Sequence, residues 1–374
     1  MNQDRYKITL VISSLTCGGA ERVLVLLANG FIEAGHQISV VTLSNKDTDF
    51  YQLPSGVKRI DLDLIGESKS ITQAISSNFQ RVTLLRKAIQ GTKPDLVISF
   101  LRITNILTLL ASINVSYPVI VTEHNDAKIF SYGKLWESLR HLTYRYCSLV
   151  VSVSQGVDNS LEPLPKSKRA VIYNPILIPE NNEKDILPST VDPNKNWLVS
   201  MGRLTKQKGY DLLLKAFQPV AKKHPDWQLL ILGQGELKEE LETIKDELGL
   251  ANKVVFTGSV RNPFAILRKA RLFVMASRNE GFPMAHGEAL ACGCPVIATD
   301  CPSGPREMIR DGVDGVLVPN GDISALSTAM EKLISDEKER KRLATNAPEV
   351  TQRFSLEKIV EKWEELFSQI VNNK

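Results

Sequence analysis

The stretch that decides the fold is residues 272–298, LFVMASRNEGFPMAHGEALACGCPVIA. Its two ends, 272–275 and 295–298, are apolar runs with the length of a buried strand. Between them, Pro283 suits the first turn of a helix and Gly293 suits its C-terminal end. The order strand, loop, short helix, strand is the repeating unit of a parallel α/β sheet.

Two glutamates in this stretch point to a ligand. Glu280 lies on the predicted loop and Glu288 lies in the predicted helix. Open α/β sheets bind ligands at the carboxyl ends of their strands, and a helix N-terminus attracts anions. Either glutamate alone would most often be a solvated charge at a helix start. Together, they suit a ligand that carries both hydroxyl groups and phosphate, and a nucleotide sugar has both.

The same alternation of strands and helices occurs twice along the 374 residues. We predict an α/β protein with two Rossmann-like, doubly wound parallel sheets that face a central cleft. The predicted domains are residues 1–178 and 197–352, joined by a linker over 179–196 that is rich in Pro, Asn and charge. Residues 353–374 have the apolar spacing of an amphipathic helix.

Two glycine-bounded loops have the chemistry of phosphate binding. Residues 202–209 follow the first strand of the second half and include Arg203 and Lys208. Arginine offers a planar fork of N–H donors and lysine a mobile point charge, which together suit a diphosphate. In the first half, Gly18 and Gly19 precede a predicted helix, where glycine allows close approach of the backbone to a phosphate.

The composition excludes several other classes of protein. Gly233 and Gly235 follow a strand but lack the third glycine of a dinucleotide fingerprint, so we reject an NAD-dependent oxidoreductase. The five cysteines show no metal or disulfide spacing. Asp61 and Asp63 have the spacing of a carboxylate metal motif, but they lie far from the other motifs, so we interpret the match as chance and predict no metal and no cofactor. A net charge of +4 without a dense basic stripe argues against nucleic acid.

The sequence also predicts where the protein works. The opening residues are polar and no apolar run reaches the ~18 residues of a spanning helix, which predicts a cytoplasmic protein. Two predicted helices of the first half, around 81–90 and 133–147, combine basic and aromatic residues. They suit either the anionic face of the inner membrane and a lipid diphosphate, or ordinary helices with solvated charges and core-facing aromatic residues. The residues concerned are Arg81, Arg86, Lys87, Trp136, Arg140 and Arg145.

The whole pattern resembles the retaining glycosyltransferases of family 4, which have the GT-B fold. The resemblance rests on Glu-x7-Glu with Gly-Phe-Pro inside it and Ala-Cys-Gly-x-Pro-Val-Ile-Ala-Thr behind it. It covers almost the whole chain and is weaker in the first half. It implies that Glu280 contacts the donor sugar, that Glu288 contacts the ribose, and that the last helix crosses back to the first domain. The family usually has aliphatic residues where this chain has His286 and Gly287.

The resemblance also implies roles for residues that the composition does not single out. His124 follows a predicted strand and is expected to donate a hydrogen bond to a sugar hydroxyl or a carbonyl near the reaction centre, with Glu123 beside it. The implied catalytic set is His124, Arg203, Lys208 and Glu280. The implied donor site adds Gly18, Gly19, Glu123, Gly258, Arg261, Gly281, Phe282, Pro283, Met284 and Glu288.

These implications predict a retaining, metal-independent glycosyltransferase with a UDP-sugar donor. It would move a hexose or N-acetylhexosamine of the Gal, GalNAc or GlcNAc class to a saccharide or a polyprenyl-diphosphate-linked saccharide. Residues 300–307 are similar to those of bacterial galactosyl- and N-acetylgalactosaminyltransferases of polysaccharide and lipid-linked oligosaccharide assembly. Three alternatives remain: a GT-B-fold nucleotide-sugar epimerase, a glycogen-synthase-like polymerase, and a nucleotide-sugar-binding protein without catalysis.

Overall fold

Two parallel β-sheets, one of seven strands and one of six, organise the computed structural model of the chain. The structure describes residues 5–64, 71–130, 132–162, 164–177 and 191–372. The chain divides into two units, one of residues Met1–Pro175 with Leu356–Lys374 and one of residues Ile176–Ser355. Each unit contains one of the two sheets.

The first unit is built on the seven-stranded sheet. Its strands are β1 (Lys7–Ile12), β2 (Gln37–Thr42), β3 (Lys58–Asp61), β4 (Leu96–Phe100), β5 (Val119–Glu123), β6 (Leu149–Ser152) and β7 (Arg169–Val171). The helices between them are α1 (Gly19–Glu33), α2 (Ile71–Thr92), α3 (Arg102–Ala111), α4 (Lys134–Thr143) and α5 (Gln155–Asn159). The strand order is β3-β2-β1-β4-β5-β6-β7. Central strands such as β4 are buried along their whole length, as a parallel sheet covered on both faces requires.

The second unit repeats this plan with six strands. They are β8 (Asn196–Met201), β9 (Trp227–Leu232), β10 (Val254–Gly258), β11 (Leu272–Met275), β12 (Val296–Asp300) and β13 (Gly315–Pro319), in the order β10-β9-β8-β11-β12-β13. The helices are α6 (Tyr210–Lys223), α7 (Lys238–Glu247), α8 (Phe264–Lys269), α9 (Met284–Ala291), α10 (Pro305–Met308), α11 (Ile323–Ser335), α12 (Glu337–Asn346) and α13 (Val350–Arg353). Its core includes Phe217, Leu229 and Val274.

Both sheets have the strand order of the Rossmann fold. The order reverses between β1 and β4 in the first sheet and between β8 and β11 in the second. Ligands of such sheets bind outside the carboxyl ends of the strands at this switch point. The predicted α/β architecture with two doubly wound parallel sheets is therefore confirmed.

A final helix, α14 (Leu356–Asn372), belongs to the first unit and packs on α1. The ring of Phe31 on α1 meets Trp363 and Phe367 edge-on, with centroid distances of 6.3 and 5.4 Å. A Cβ added at Gly30 would lie 2.5 Å from Cγ2 of Val360, so glycine lets the two helices approach closely. None of the helices in the described ranges combines the length with the apolar composition of a membrane-spanning segment.

Several sequence-based boundaries need correction. The helix predicted for 81–90 begins at Ile71, and the helix predicted for 133–147 ends at Thr143 and continues as a 3-10 turn. The edge strands β3 and β7 were missed because they are short and lack a continuous apolar run. Of the predicted linker, residues 179–190 lie outside the described residues, and Asn196 already belongs to β8.

Candidate functional site

An ion pair spans the switch point of the second sheet. Lys208 lies on the loop after β8 and Glu280 on the loop after β11. Nζ of Lys208 is 2.6 Å from Oε1 of Glu280, and Oγ of Ser277 donates to the same oxygen at 2.7 Å. The side chains are 16% and 7% exposed, respectively. The structure therefore brings together two residues that the sequence assigned to one site.

The Glu280 carboxyl group is held ionised. Burial raises its pKa, but the charge of Lys208 and the hydrogen bonds from Lys208 and Ser277 lower it by more, so the pKa lies below its usual range. Both of these hydrogen bonds go to Oε1. No described residue donates a hydrogen bond to Oε2, and Oε2 is not a buried atom. Oε2 is thus the oxygen that remains for a ligand.

Further contacts tie the loop after β11 to the loop after β8. The guanidinium of Arg278 forms two hydrogen bonds with the Asp211 carboxylate, at 2.9 and 2.7 Å, and donates to the carbonyl oxygen of Lys206 at 2.7 Å. The Gln207 amide donates to the carbonyl oxygen of Asn279 at 3.0 Å. These residues are not predictable from the sequence, because no local pattern connects positions that are about 70 residues apart.

Glycines allow these loops to touch through their backbones. A Cβ added at Gly209 would overlap the carbonyl oxygen of Ala276, and one added at Gly233 would overlap that of Gly202. A Cβ at Gly235 would overlap the backbone of the same loop. The Gly233–Gly235 pair therefore packs against the loop that follows β8, which gives these glycines a structural reason.

Two of the exposed arginines of the second unit follow the carboxyl ends of strands. Arg203 lies on the loop after β8, and Arg261 follows Gly258, the last residue of β10. Within the described part of the chain, neither guanidinium has an ion-pair or hydrogen-bond partner. Both are therefore available to an anion. The same described residues contain no group of three or more His, Cys, Asp or Glu side chains placed to hold a metal ion.

Helix α9 carries the second glutamate. It begins at Met284, with Pro283 at the N-cap position and no side-chain cap, and Glu288 lies buried within it. The predicted placement of Glu280 on a loop and Glu288 in a helix is therefore confirmed. The first-turn amides of a helix have no partner within the helix, and they lie at its positive end.

The turn before α9 is shaped by packing. A Cβ added at Gly304 would lie 2.6 Å from the carbonyl oxygen of Gly281 and 2.8 Å from Cδ of Pro283. The ring of Phe282 packs edge-on against Phe354, with a centroid distance of 5.2 Å. These contacts fix the path of the backbone between Glu280 and the start of α9 at Met284.

The unusual His286–Gly287 pair lies inside the unit. His286 is 1% exposed, and neither ring nitrogen has a hydrogen-bond partner among the described residues. Burial lowers its pKa to about 4, so the ring is neutral near pH 7. A Cβ at Gly287 would overlap Cδ1 of Ile176, which explains the glycine by packing. Burial of the imidazole without a hydrogen bond lowers the free energy of unfolding.

In the first unit, the predicted phosphate loop starts a helix. Gly18 is the N-cap residue of α1 and Gly19 its first residue. A Cβ added at Gly18 would overlap the carboxylate of Glu21, which folds back over this turn. The acidic side chain of Glu21 thus lies over the helix N-terminus, where its charge is favourable.

Glu123 and His124 stand at the carboxyl end of β5. Glu123 is 2% exposed; Oη of Tyr144 donates to its Oε1, and Nη2 of Arg102 lies 3.4 Å from its Oε2. This contradicts the predicted donor contact of Glu123, because its carboxylate faces the interior. His124 is partly exposed and stacks obliquely on Phe100, with a centroid distance of 5.7 Å.

The basic residues of α2 have different surroundings. Nε of Arg81 donates to the carbonyl oxygen of Leu64 at 3.0 Å, and Nη1 of Arg86 donates to that of Ile113 at 2.8 Å. These two guanidinium groups tie α2 to its neighbours in the first unit. Lys87 is exposed, as the prediction of an anion contact requires.

Two residues of α4 point inward, which contradicts the membrane interpretation and, for Trp136, agrees with the alternative of a core-facing aromatic residue. Trp136 packs on the core of the first unit, and the buried Arg140 donates to Glu137 at 3.0 Å. Because both side chains pack inward, neither is presented to a membrane. The residue types of α4 alone do not predict which face of the helix is buried. Arg145, on the turn after α4, is exposed.

Comparison with known proteins identifies the family. A family model described as Glycosyltransferase Family 4 matches residues 17–177, and one described as Glycosyl transferases group 1 matches residues 181–350. A relative from Campylobacter jejuni, named GalNAc-alpha-(1->4)-GalNAc-alpha-(1->3)-diNAcBac-PP-undecaprenol alpha-1,4-N-acetyl-D-galactosaminyltransferase, is 31% identical over 98% of this chain and 99% of its own length. A second C. jejuni relative, an N-acetylgalactosamine-N,N'-diacetylbacillosaminyl-diphospho-undecaprenol 4-alpha-N-acetylgalactosaminyltransferase, is 27% identical over 94% of this chain and 97% of its own length.

Solved structures share the fold. HepE of Anabaena, in complex with UDP and glucose, has a TM-score of 0.79 and 22% identity, and covers 97% of this chain and 100% of its own. The galactosyltransferase WaaB of the lipopolysaccharide outer core has a TM-score of 0.70 and 22% identity, with 97% and 99% coverage. With two Rossmann-like sheets and these relatives, the chain belongs to family 4 of the glycosyltransferases and has the GT-B fold.

Proposed function

We propose that this glycosyltransferase moves a hexose or N-acetylhexosamine from a UDP-sugar to a lipid-linked saccharide, with retention of anomeric configuration. The observation that carries the donor assignment is the Lys208–Glu280 pair, 2.6 Å apart at the switch point of the second sheet, with the exposed Arg203 on the same loop as Lys208. HepE, which shares the fold, has been solved with UDP and glucose. The C. jejuni relatives are named for undecaprenol-linked acceptors.

The geometry suggests how the donor is held. A lysine ammonium has three N–H donors, and Glu280 takes one from Lys208, so two remain for the donor diphosphate. The free guanidinium of Arg203 can bind the diphosphate as a fork. Oε2 of Glu280 then accepts a hydrogen bond from a hydroxyl of the sugar. One lysine would thus connect the carboxylate to the leaving group without breaking the ion pair.

The same arrangement assigns the catalytic contribution. When the glycosidic bond to the donor breaks, negative charge develops on the departing diphosphate, and two preorganised cations stabilise it. Because Arg203 and Lys208 supply this charge, we propose that transfer needs no added metal. Protein treated with a chelator should then keep its rate within about twofold, a change small beside the hundredfold scale of losing one such stabilising group.

For the acceptor side, one face of α4 supports contact with a membrane. Exposed residues follow this face at helical spacing, and we call them the α4 stripe: Lys134, Leu135, Ser138, His141, Leu142, Arg145 and Tyr146. Leu135 and Tyr146 are each 70% exposed. The stripe contains basic and apolar side chains and no acid, which suits the surface of an anionic bilayer. We therefore propose that the α4 stripe, rather than Trp136 and Arg140, contacts the cytoplasmic face of the membrane.

Vesicle flotation tests the membrane proposal. The protein should float with vesicles that contain phosphatidylglycerol and not with phosphatidylcholine vesicles. Arg145→Glu with Leu135→Ser should abolish flotation, whereas Lys215→Glu, which changes an exposed charge of α6, should not. Equal flotation of both variants would contradict the assignment of the α4 stripe.

A donor panel tests the proposed reaction. The protein would be incubated with UDP- and GDP-sugars and membrane lipid extract, and mass spectrometry and NMR would identify the product and its anomeric configuration. Arg203→Ala should lower donor turnover at least ~100-fold, the scale of removing one transition-state stabiliser. Turnover of the donor without an acceptor would favour the epimerase. Donor binding without any transfer would favour the non-catalytic protein.

A further inference from the structure

The residues at the carboxyl end of β5 are held in place one by one. The side-chain amide of Asn105 donates to the carbonyl oxygen of Thr122 at 2.8 Å. The next residue, Glu123, is buried, and its carboxylate accepts a hydrogen bond from Tyr144 and pairs with Arg102. Because successive side chains of a strand point to opposite faces, the clamp on Glu123 also fixes where the chain presents the following residue.

A proton count at Thr122 determines the state of His124. Oγ1 of Thr122 is 3.0 Å from the carbonyl oxygen of Ser99 and 3.0 Å from Nε2 of His124. A carbonyl oxygen cannot donate, so the single hydroxyl proton goes to Ser99. Oγ1 can then only accept from the imidazole. It follows that Nε2 of His124 carries a proton.

The other ring nitrogen is left as an acceptor. Burial lowers the pKa of His124 to about 4, so the ring is neutral near pH 7 and has one proton, which is on Nε2. Nδ1 therefore has a lone pair and no proton. No described residue donates a hydrogen bond to it, and it is not one of the buried unpaired atoms of the described residues.

We propose that Thr122 is a positioning residue that locks His124 in the Nε2–H tautomer, so that Nδ1 accepts a hydrogen bond from a hydroxyl of the sugar substrate. The choice of a sugar as the ligand rests on the proposed function. This proposal reverses the sequence-based expectation that His124 donates a hydrogen bond. His124 would select for a substrate that has a hydroxyl at this place and would not act as the acid that protonates a leaving group.

The first test measures the tautomer directly, without any substrate. Long-range ¹H–¹⁵N NMR of the full-length protein with labelled histidine should show His124 protonated on Nε2 at pH 7. Thr122→Val, which keeps the shape but removes the hydroxyl, should give a mixture of tautomers, and Thr122→Ser should restore the single form. A proton on Nδ1 in the unmodified protein, or an unchanged spectrum in Thr122→Val, would overturn the inference even if the proposed function holds.

The second test asks which ring nitrogen contacts the substrate. His124→Asn places an amide oxygen close to the position of Nδ1, whereas His124→Gln reaches the position of Nε2. We expect kcat/KM for the Asn variant to exceed that for the Gln variant at least about tenfold, the scale of one hydrogen bond to a ligand. Equal losses, or the reverse order, would overturn the contact. Unchanged UDP affinity in both variants would show that the second unit is intact.

Kinetics of the Thr122 variants connect the two tests. Thr122→Val should lower kcat/KM about tenfold, while Thr122→Ser should stay within about twofold of the unmodified protein. A purely structural role would lower the stability of the Val variant and leave its tautomer unchanged, which contradicts the proposal. If the unmodified protein transfers no sugar at all, the proposed function fails, whereas the NMR result still decides the tautomer.

Discussion

Glu123 and Glu280 are similar in sequence context and opposite in use. Each stands at or just after the carboxyl end of a parallel strand, each is nearly buried, and each has a cation within 4 Å. Both carboxylate oxygens of Glu123 contact protein groups, namely Tyr144 and Arg102. Oε1 of Glu280 accepts hydrogen bonds from Lys208 and Ser277, whereas Oε2 accepts none from a described residue. The first is a scaffold and the second is suited to a ligand.

The cations differ in the same way. The guanidinium of Arg102 also donates to the carbonyl oxygen of Phe130 at 2.7 Å and to Glu137 at 2.8 Å. Among the described residues, Lys208 has one hydrogen-bond partner, Glu280, and it retains two N–H donors. Burial and a nearby cation therefore do not identify a ligand-binding carboxylate. What identifies it is a carboxylate oxygen and N–H groups that have no hydrogen-bond partner among the described residues.

Replacing the scaffold carboxylate should have the largest effect, and it should be on stability. Glu123→Gln leaves the buried Arg102 with less compensation, so the free energy of unfolding should fall by about 3 kcal/mol, measured by urea denaturation. Well below the melting temperature, kcat/KM should change less than about tenfold. Glu162→Gln, at an exposed position of the same unit, is the control and should change neither quantity. A Glu123 variant that is stable but inactive would contradict the structural role of this carboxylate.

The ligand carboxylate should show the reverse pattern. Glu280→Gln should lower kcat/KM at least ~100-fold, about 2.7 kcal/mol of transition-state stabilisation. The amide oxygen can still accept from Lys208 and Ser277, so the free energy of unfolding should change by about 1 kcal/mol. Steady-state kinetics and urea denaturation of the same preparation measure both. Full activity in this variant would contradict the hydroxyl contact.

A pair of glycines tests whether the loop contacts of the ligand site matter. Gly209 and Gly249 both have positive φ, +65° and +70°. A Cβ at Gly209 would overlap the carbonyl oxygen of Ala276, whereas one at Gly249 would meet nothing within 4 Å. Gly249→Ala should cost about 1 kcal/mol of stability, and Gly209→Ala about 2 kcal/mol or more, because an overlap is added to the strain.

The same pair should also differ in ligand binding. UDP affinity, measured by calorimetry, should fall at least about tenfold in Gly209→Ala, because the loop that carries Lys208 must shift. Gly249→Ala should bind UDP as the unmodified protein does. Similar losses in both variants would show that left-handed strain alone, and not the contact between loops, governs the site.

The smallest effect concerns His286, a buried imidazole without a hydrogen-bond partner among the described residues. Its folded pKa of about 4 lies below the ordinary 6.5, so the unfolded chain binds more protons between these values, and stability falls as the pH falls through this window. Between pH 7 and pH 5 the loss from this group is about 2 kcal/mol. His286→Leu should remove that part of the pH dependence, as urea denaturation at both pH values can show. An unchanged pH dependence would contradict the burial of a neutral ring.

The fold and the second-unit site were largely readable from the sequence. The stretch 272–298 predicted strand, loop, helix and strand correctly, because apolar run length, Pro283 and Gly293 are local signals. The ion pair between Lys208 and Glu280 joins two loops that the motifs had already marked. Short glycine-rich loops at the carboxyl ends of strands leave few alternative paths for the chain.

The errors have a common physical cause. Trp136, Arg140 and Glu123 have residue types that suit a ligand or membrane surface, but their orientation depends on side chains far away in the sequence. The contact between Arg278 and Asp211 is equally invisible, because two charged residues in separate loops give no periodic signal. Sequence motifs located the loops, and tertiary packing decided which side chains face outward.

We propose above all that Oε2 of Glu280 and the two remaining N–H groups of Lys208 bind the donor. A crystal structure of the protein with a UDP-sugar tests it most directly. We predict diphosphate oxygens within about 3.2 Å of Arg203 and Lys208, and a sugar hydroxyl at the same distance from Oε2 of Glu280. A diphosphate bound away from these side chains, with Oε2 of Glu280 still without a ligand, would contradict the account.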